Sequence, residues 1–159
     1  MVDNKIEVLN QSLSQIENYI PLMNKRDITI SKSDVGWHLD HSLKVIHRVC
    51  NFLIASKQSD YRWAFNKWRF IIFLKGSIPR GKAKAPRHVR PPENISSGDL
   101  KTQLKEVKKM LNTIKKLPPK SHFDHHIFGK LHLKKAIRFL EIHTEHHIKI
   151  INDILNYQS

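Results

Sequence analysis

The chain of 159 residues has a single cysteine, Cys50, which excludes an internal disulfide framework and any cysteine-rich zinc module. It also lacks a membrane-spanning run. The longest apolar stretch, Phe70 to Leu74, falls far short of the roughly 18 residues needed to cross a bilayer. The start, Met1-Val-Asp-Asn-Lys-Ile-Glu, has no basic region followed by an apolar one, so no secretory signal is expected and a cytoplasmic location is. Acid is scarce as well: 14 Asp and Glu face 28 Lys and Arg, leaving a formal charge of +14 before the 11 His are counted. The length suits one domain over residues 1–159. A domain of that size buries roughly two thirds of the surface its unfolded chain exposes and needs neither disulfide nor structural metal to fold.

An excess of cations invites a nucleic-acid reading, because cations gain affinity by releasing phosphate counterions. The composition argues against it. Of the 28 cations 20 are Lys and 8 are Arg, and Lys lacks the planar fork that grips phosphate and guanine with two bonds. The 19 Ile accompany the Lys, a pairing that coding bias also produces.

Apolar residues at Ile6, Leu9, Leu13, Ile16 and Ile20 alternate by three and four and predict a first helix ending near Pro21. Asn24 to Lys32 reads as a connection. Ser33 is the expected N-cap of a second helix with Val35, Leu39, Ser42, Ile46, Val49 and Leu53 inward. From Tyr61 to Leu74 aromatic and basic residues alternate. Phe65, Trp68 and Ile72 suit one face of a short helix, while the aromatic content leaves a strand open. Gly76 to Pro92 holds four of the seven prolines and reads as a loop. The loop from Lys75 to Arg90 carries Lys75, Arg80, Lys82, Lys84, Arg87 and Arg90 and no acid. Folded over the end of a bundle, such a loop would hold an anionic substrate; solvated, it would be an ordinary basic loop.

Ser96, with Asp99 three residues on and Ile95 and Leu100 as a hydrophobic staple, marks the clearest helix start. Its stripe is Leu100, Leu104, Val107, Leu111 and Ile114, ending before Pro118-Pro119. A final helix is expected from about Leu133 to Asn156, with Ile137, Leu140, Ile148, Ile151 and Leu155 inward. Four such helices bury their narrow stripes together, so the predicted fold is all-α, a four-helix bundle with an extra short helix and a long basic loop between helices two and three. There is no internal repeat and no low-complexity tail.

Seven His lie between His122 and His147, in the groups His122, His125, His126, His132 and His143, His146, His147. At about 100° per residue His143 and His147 fall among Leu140, Ile151 and Ile154 on the inward face of the final helix, and His146 faces away. Imidazoles at i and i+4 can converge on one metal ion; two core histidines satisfied by hydrogen bonds are the plainer reading. A third ligand decides between them. Helix two offers His38, which the periodicity prefers, and His41, at the margin of the apolar arc. The run His143-Thr-Glu-His-His matches neither H-E-x-x-H nor H-x-x-E-H, and Glu145 falls opposite the pair, so no zinc-protease site is expected.

Three segments carry a resemblance to a known family: Trp37-His-Leu-Asp-His41, His125-His-Ile-Phe-Gly129 and Phe139-Leu-Glu-Ile-His143-Thr-Glu-His-His147. They resemble the DinB-like or YfiT-like metal-binding proteins, densely over about residues 35–46 and 122–154 and elsewhere only in helix order. The resemblance implies a four-helix bundle with one divalent ion, Zn or Ni first among the candidates, held by His41, His143 and His147. It favours His41 over His38, which stays the rival ligand and a candidate for a place behind the ligands, and sets His125 behind the ligands or on the substrate side, where the basic loop would add Arg80 and Arg87. His126 departs from the family's frequent proline, and His132 stands where a Ser or Thr cap is natural.

Three imidazoles leave coordination positions open, as catalysis requires. The resemblance implies a metal-dependent enzyme of the thiol-dependent transferase or hydrolase kind. Its expected partner is a small-molecule substrate, a low-molecular-weight thiol in particular; a homodimer stays open, and neither nucleic acid nor a membrane is expected. A basic nucleic-acid-binding helical protein and a non-catalytic metal-binding scaffold are the alternatives. No motif places Cys50 as a nucleophile, and it reads as core.

Overall fold

The three-four spacing from Ile6 produces α1, Val2–Tyr19, whose Ile6, Leu9, Leu13 and Ile16 are buried. The chain is described by a computed structural model over residues 2–81 and 89–156. At Pro21 the backbone tightens into a 3₁₀ turn, Ile20–Leu22, with the proline in the first turn, where its missing N–H costs nothing. Helix α2, Val35–Ala55, begins one residue later than a Ser33 cap would give. Asp34 is extended and its carboxylate accepts the Trp37 N–H at 2.8 Å, whereas the Ser33 N–H is bound to Ser31 Oγ. All six expected inward residues of α2 are buried, and so is Cys50, whose thiol burial pushes up to about 12.

A short helix, α3, Lys67–Lys75, takes the place of the strand alternative. Asn66 caps it through the Arg69 N–H, and Gly76 ends it at φ 64°, a left-handed conformation that suits glycine. Its face differs from the predicted one. Ile72 is buried, but Phe65 and Trp68 are exposed. The rotation follows Arg69, which donates to the carbonyls of Ala64, Phe128 and Lys130 and so turns Ile72 and half-buried Phe73 inward.

Helix α4, Ser97–Ile114, starts as its sequence predicts: Ser96 Oγ accepts the Asp99 N–H and donates to the Asp99 carboxylate. Its five stripe residues are buried, and Ile95 packs against the core. The chain then forms a hairpin, β1 (His122–His125) and β2 (Gly129–His132), antiparallel with Phe123 opposite Leu131. The fold is thus mostly helical rather than purely so; four-residue strands are too short to leave a periodic signal. Gly129, at φ 66°, closes the three-residue turn. Helix α5, Leu133–Asn156, buries Ile137, Leu140, Ile148, Ile151 and Ile154, while Leu155 is only half-buried.

Helices α1 and α2 each pack on both α4 and α5, so the four long helices close around one core. Two buried carboxylates tie the ring together. Glu141 of α5 meets Lys5 of α1 at 3.3 Å and Arg138 at 2.9 Å. Asp40 of α2 meets Lys44 at 2.6 Å and accepts Gln103 of α4 at 2.8 Å. Each buried charge has its partners, which removes the cost of burying it alone. Among the described residues no helix is long and apolar enough to cross a membrane.

Candidate metal centre

Helix α2 delivers Trp37, His38 and His41 to the interior, and α5 delivers His143, His146 and His147 from the facing side. His41, His143 and His147 each offer a ring nitrogen, and the three nitrogens lie within 4.8 Å of one another. The ring centroids are 5.1 Å apart for His41 and His143, 4.9 Å for His41 and His147, and 4.7 Å for the i, i+4 pair. Among the described residues no carboxylate joins the group.

Hydrogen bonds behind the rings leave nitrogens free to converge. His41 Nδ1 lies 2.8 Å from the Val89 carbonyl and must donate to it, which leaves Nε2 bare for a ligand bond. Trp37 stacks on the His41 ring at 5.0 Å and 21°. His147 Nδ1 is 2.9 Å from His38 Nδ1, and His38 Nε2 is 3.0 Å from Ser31 Oγ, which also accepts the Ser33 N–H. For His147 to ligate through Nε2 its Nδ1–H donates to His38, whose own Nε2–H passes to Ser31. His38 is therefore no member of the triad; it orients His147. The third ring, His143, has a buried Nδ1 without any hydrogen-bond partner. An orphaned buried nitrogen costs energy unless something else satisfies it, and a divalent ion among three imidazoles would do so.

Burial lowers the affinity of these rings for protons. It is the largest cause for His41, and for His143 and His147, both held well below 6.5 with neighbouring imidazoles adding to the effect. Burial also pushes His38 down to about 4. All are neutral near pH 7, the state in which imidazole binds a metal.

The triad forms one wall of a cavity of about 350 Å³. Its other walls are mainly apolar, with Val45, Val49, Phe52, Phe123, Phe128 and Phe139 among them. His125 lies at the hairpin turn, where its Nδ1 accepts the N–H groups of Ile127 and Phe128 at 3.1 and 3.2 Å. That arrangement makes Nδ1 an acceptor and leaves the proton on Nε2. Burial pushes this ring down to about 4, so it stays neutral, and it stacks on Phe128 at 4.5 Å.

Comparison of the chain with family models, curated proteins and solved structures finds no match. The site therefore rests on its own geometry.

Several expectations change here. His146, expected to face away, lines the cavity and packs 5.1 Å from the His147 ring, because the segment after Gly76 folds across that side of α5. Arg80 does not line the cavity with the triad; it pairs with Asp153 at 2.7 Å. Arg87, Lys82 and Lys84 lie outside the described residues. The basic loop does reach the cavity, but through Ile78, Pro79, Gly81 and Val89 rather than through a described cation. Among the described residues the cation that lines the cavity is Arg48, 5.2 Å from the centroid of Phe52. Nothing in the pattern of residues marked Arg48 or the Val89 carbonyl, since one sits on an outward helix face and the other is backbone. In the first histidine group, His122 and His132 face each other across the hairpin beside Tyr61.

Proposed function

We propose that this chain is a metal-dependent enzyme of the DinB-like or YfiT-like kind, a four-helix bundle holding one divalent ion, Zn or Ni, on His41, His143 and His147. The observation that carries the reading is the convergence of three neutral imidazoles on the wall of a cavity open to a small molecule. Each has a distinct support: Val89 behind His41, His38 behind His147, and an unsatisfied Nδ1 on His143. Such a donor set suits Zn or Ni better than Mg or Ca, which prefer oxygen.

A bound ion there supplies Lewis acidity, lowering the pKa of a water or thiol ligand. The chain supplies the rest. The apolar walls exclude water and receive the body of a small substrate. Arg48, beside the ring of Phe52, offers a charge to an anionic tail, the role expected of the basic loop. His125, its proton held on Nε2 by the turn, presents a neutral donor to an oxygen developing negative charge. Cys50 takes no part, because its buried thiol stays protonated.

These features support a thiol-dependent transferase or a hydrolase. Elemental analysis of protein purified without an affinity tag tests the metal: about one divalent ion per chain is expected, and it is lost in His143→Ala. No stoichiometric metal, or undiminished metal in that variant, contradicts the reading. Adding glutathione to the cobalt-loaded chain then separates the two chemistries. A sulfur-to-cobalt charge-transfer band supports the transferase, and its absence leaves the hydrolase.

A further inference from the structure

We infer that the outward face of α3 docks on the surface of an anionic membrane. A soluble helix ordinarily turns its polar side outward. Here Trp68 is 61% exposed, Phe70 60% and Leu74 76%, and Trp63 and Phe65 just before the helix are each 69% exposed. At about 100° per residue Phe70, Ile71 and Leu74 share the arc opposite Ile72 and Phe73, which turn to the core, while Trp68 lies one turn before Ile72 at the edge of that arc and is exposed there. Five of the eleven large apolar side chains exposed among the described residues lie between Trp63 and Leu74. The exposure is thus gathered on one segment, the pattern of an interaction site rather than of scattered surface residues.

Charge selects the partner. From Tyr61 to Gly81 the chain has five cations and no acid. Lys67 and Lys75 lie within the apolar arc itself. The core of a protein–protein interface is poor in lysine, whereas at a bilayer lysine lays its stem along the apolar layer and extends its ammonium to anionic headgroups. Nucleic acid fits less well. Arg62 and Arg69, the side chains best built to grip phosphate, donate instead to backbone carbonyls, so the exposed rings lack the phosphate grip that accompanies base stacking. Contact with a lipid surface needs no spanning helix; an amphipathic face with aromatic and basic residues is enough.

The face begins at the rim of the cavity. Asn66, the cap of α3, donates to the Ile127 carbonyl at 2.8 Å, and Ile127 lines the cavity. Docking brings that rim to the bilayer.

Sedimentation of the full chain with vesicles tests the inference independently of the metal. The chain is expected to pellet with phosphatidylcholine vesicles containing phosphatidylserine and much less with phosphatidylcholine alone, with tryptophan emission shifted to the blue. Trp68→Ser combined with Phe70→Ser should weaken binding by roughly tenfold or more, since each removes exposed aromatic surface on which the core does not depend. Circular dichroism checks that this variant folds. Three outcomes overturn the inference: no pelleting with anionic vesicles, pelleting unchanged in the folded variant, or an aromatic-dependent self-association or binding to a single-stranded oligonucleotide with no vesicle binding.

Discussion

At the scale of single residues, the histidines divide by what their second nitrogen touches. His41 and His147 each give one nitrogen to a neighbour and keep one for the site, so loss of the neighbour should loosen the ion without abolishing it. His38→Ala is expected to weaken metal binding by about 10–100-fold, read by competition with a chelating dye. An unchanged affinity would mean that His38 does not orient His147. His125 plays another part: His125→Asn keeps a side-chain acceptor for the Ile127 and Phe128 amides but removes the ring. Nitrogen chemical shifts of the wild-type ring should report the proton on Nε2, and a proton on Nδ1 would contradict the hairpin hydrogen bonds.

His125 also links stability to pH. Burial pushes it to about 4 against an ordinary 6.5, so between those values the unfolded chain holds the proton that the folded chain excludes. Its contribution is complete above 6.5 and is lost as pH falls towards 4. For this residue the loss between pH 7 and pH 5 is about 2 kcal/mol. Denaturant unfolding at the two values should show the fall, with a smaller difference in His125→Asn.

At the scale of elements, caps and turns set where each helix and strand begins. Ser96→Ala removes the oxygen that accepts the Asp99 N–H and should destabilise the chain by about 1 kcal/mol in denaturant unfolding. Gly129→Val places a branched residue at φ 66° where nothing crowds a side chain, so the cost is backbone strain, about 1–2 kcal/mol. The same change should disturb the turn that fixes His125. Long helices were legible in the sequence because a buried stripe repeats every three or four residues: the stripes of α1, α2 and α4 are the buried ones. Short elements were less so. The hairpin has four residues per strand, and the face of α3 is turned by Arg69 reaching carbonyls more than fifty residues away, a tertiary effect that local periodicity cannot carry.

At the scale of the whole molecule, the triad is made by packing α2 on α5, which brings His41 to a pair about a hundred residues later. The pair itself was legible from its spacing. Helical periodicity preferred His38 and only the motif resemblance pointed to His41, because both lie near the interior and the Val89 carbonyl and Ser31 distinguish their roles. Binding that joins two long helices should stabilise the fold: a metal at a hundred times its dissociation constant is expected to add about 2.7 kcal/mol, seen as a higher melting temperature that a chelator reverses. The excess charge is a separate property, of which the run from Tyr61 to Gly81 carries five cations and no acid.

Calorimetric titration of the metal-stripped, untagged chain with zinc or nickel tests the central claim most directly. One saturable site per chain is predicted, abolished in His41→Ala, His143→Ala and His147→Ala and weakened but retained in His38→Ala. Absence of a saturable site, or a site that survives loss of His143, would contradict it.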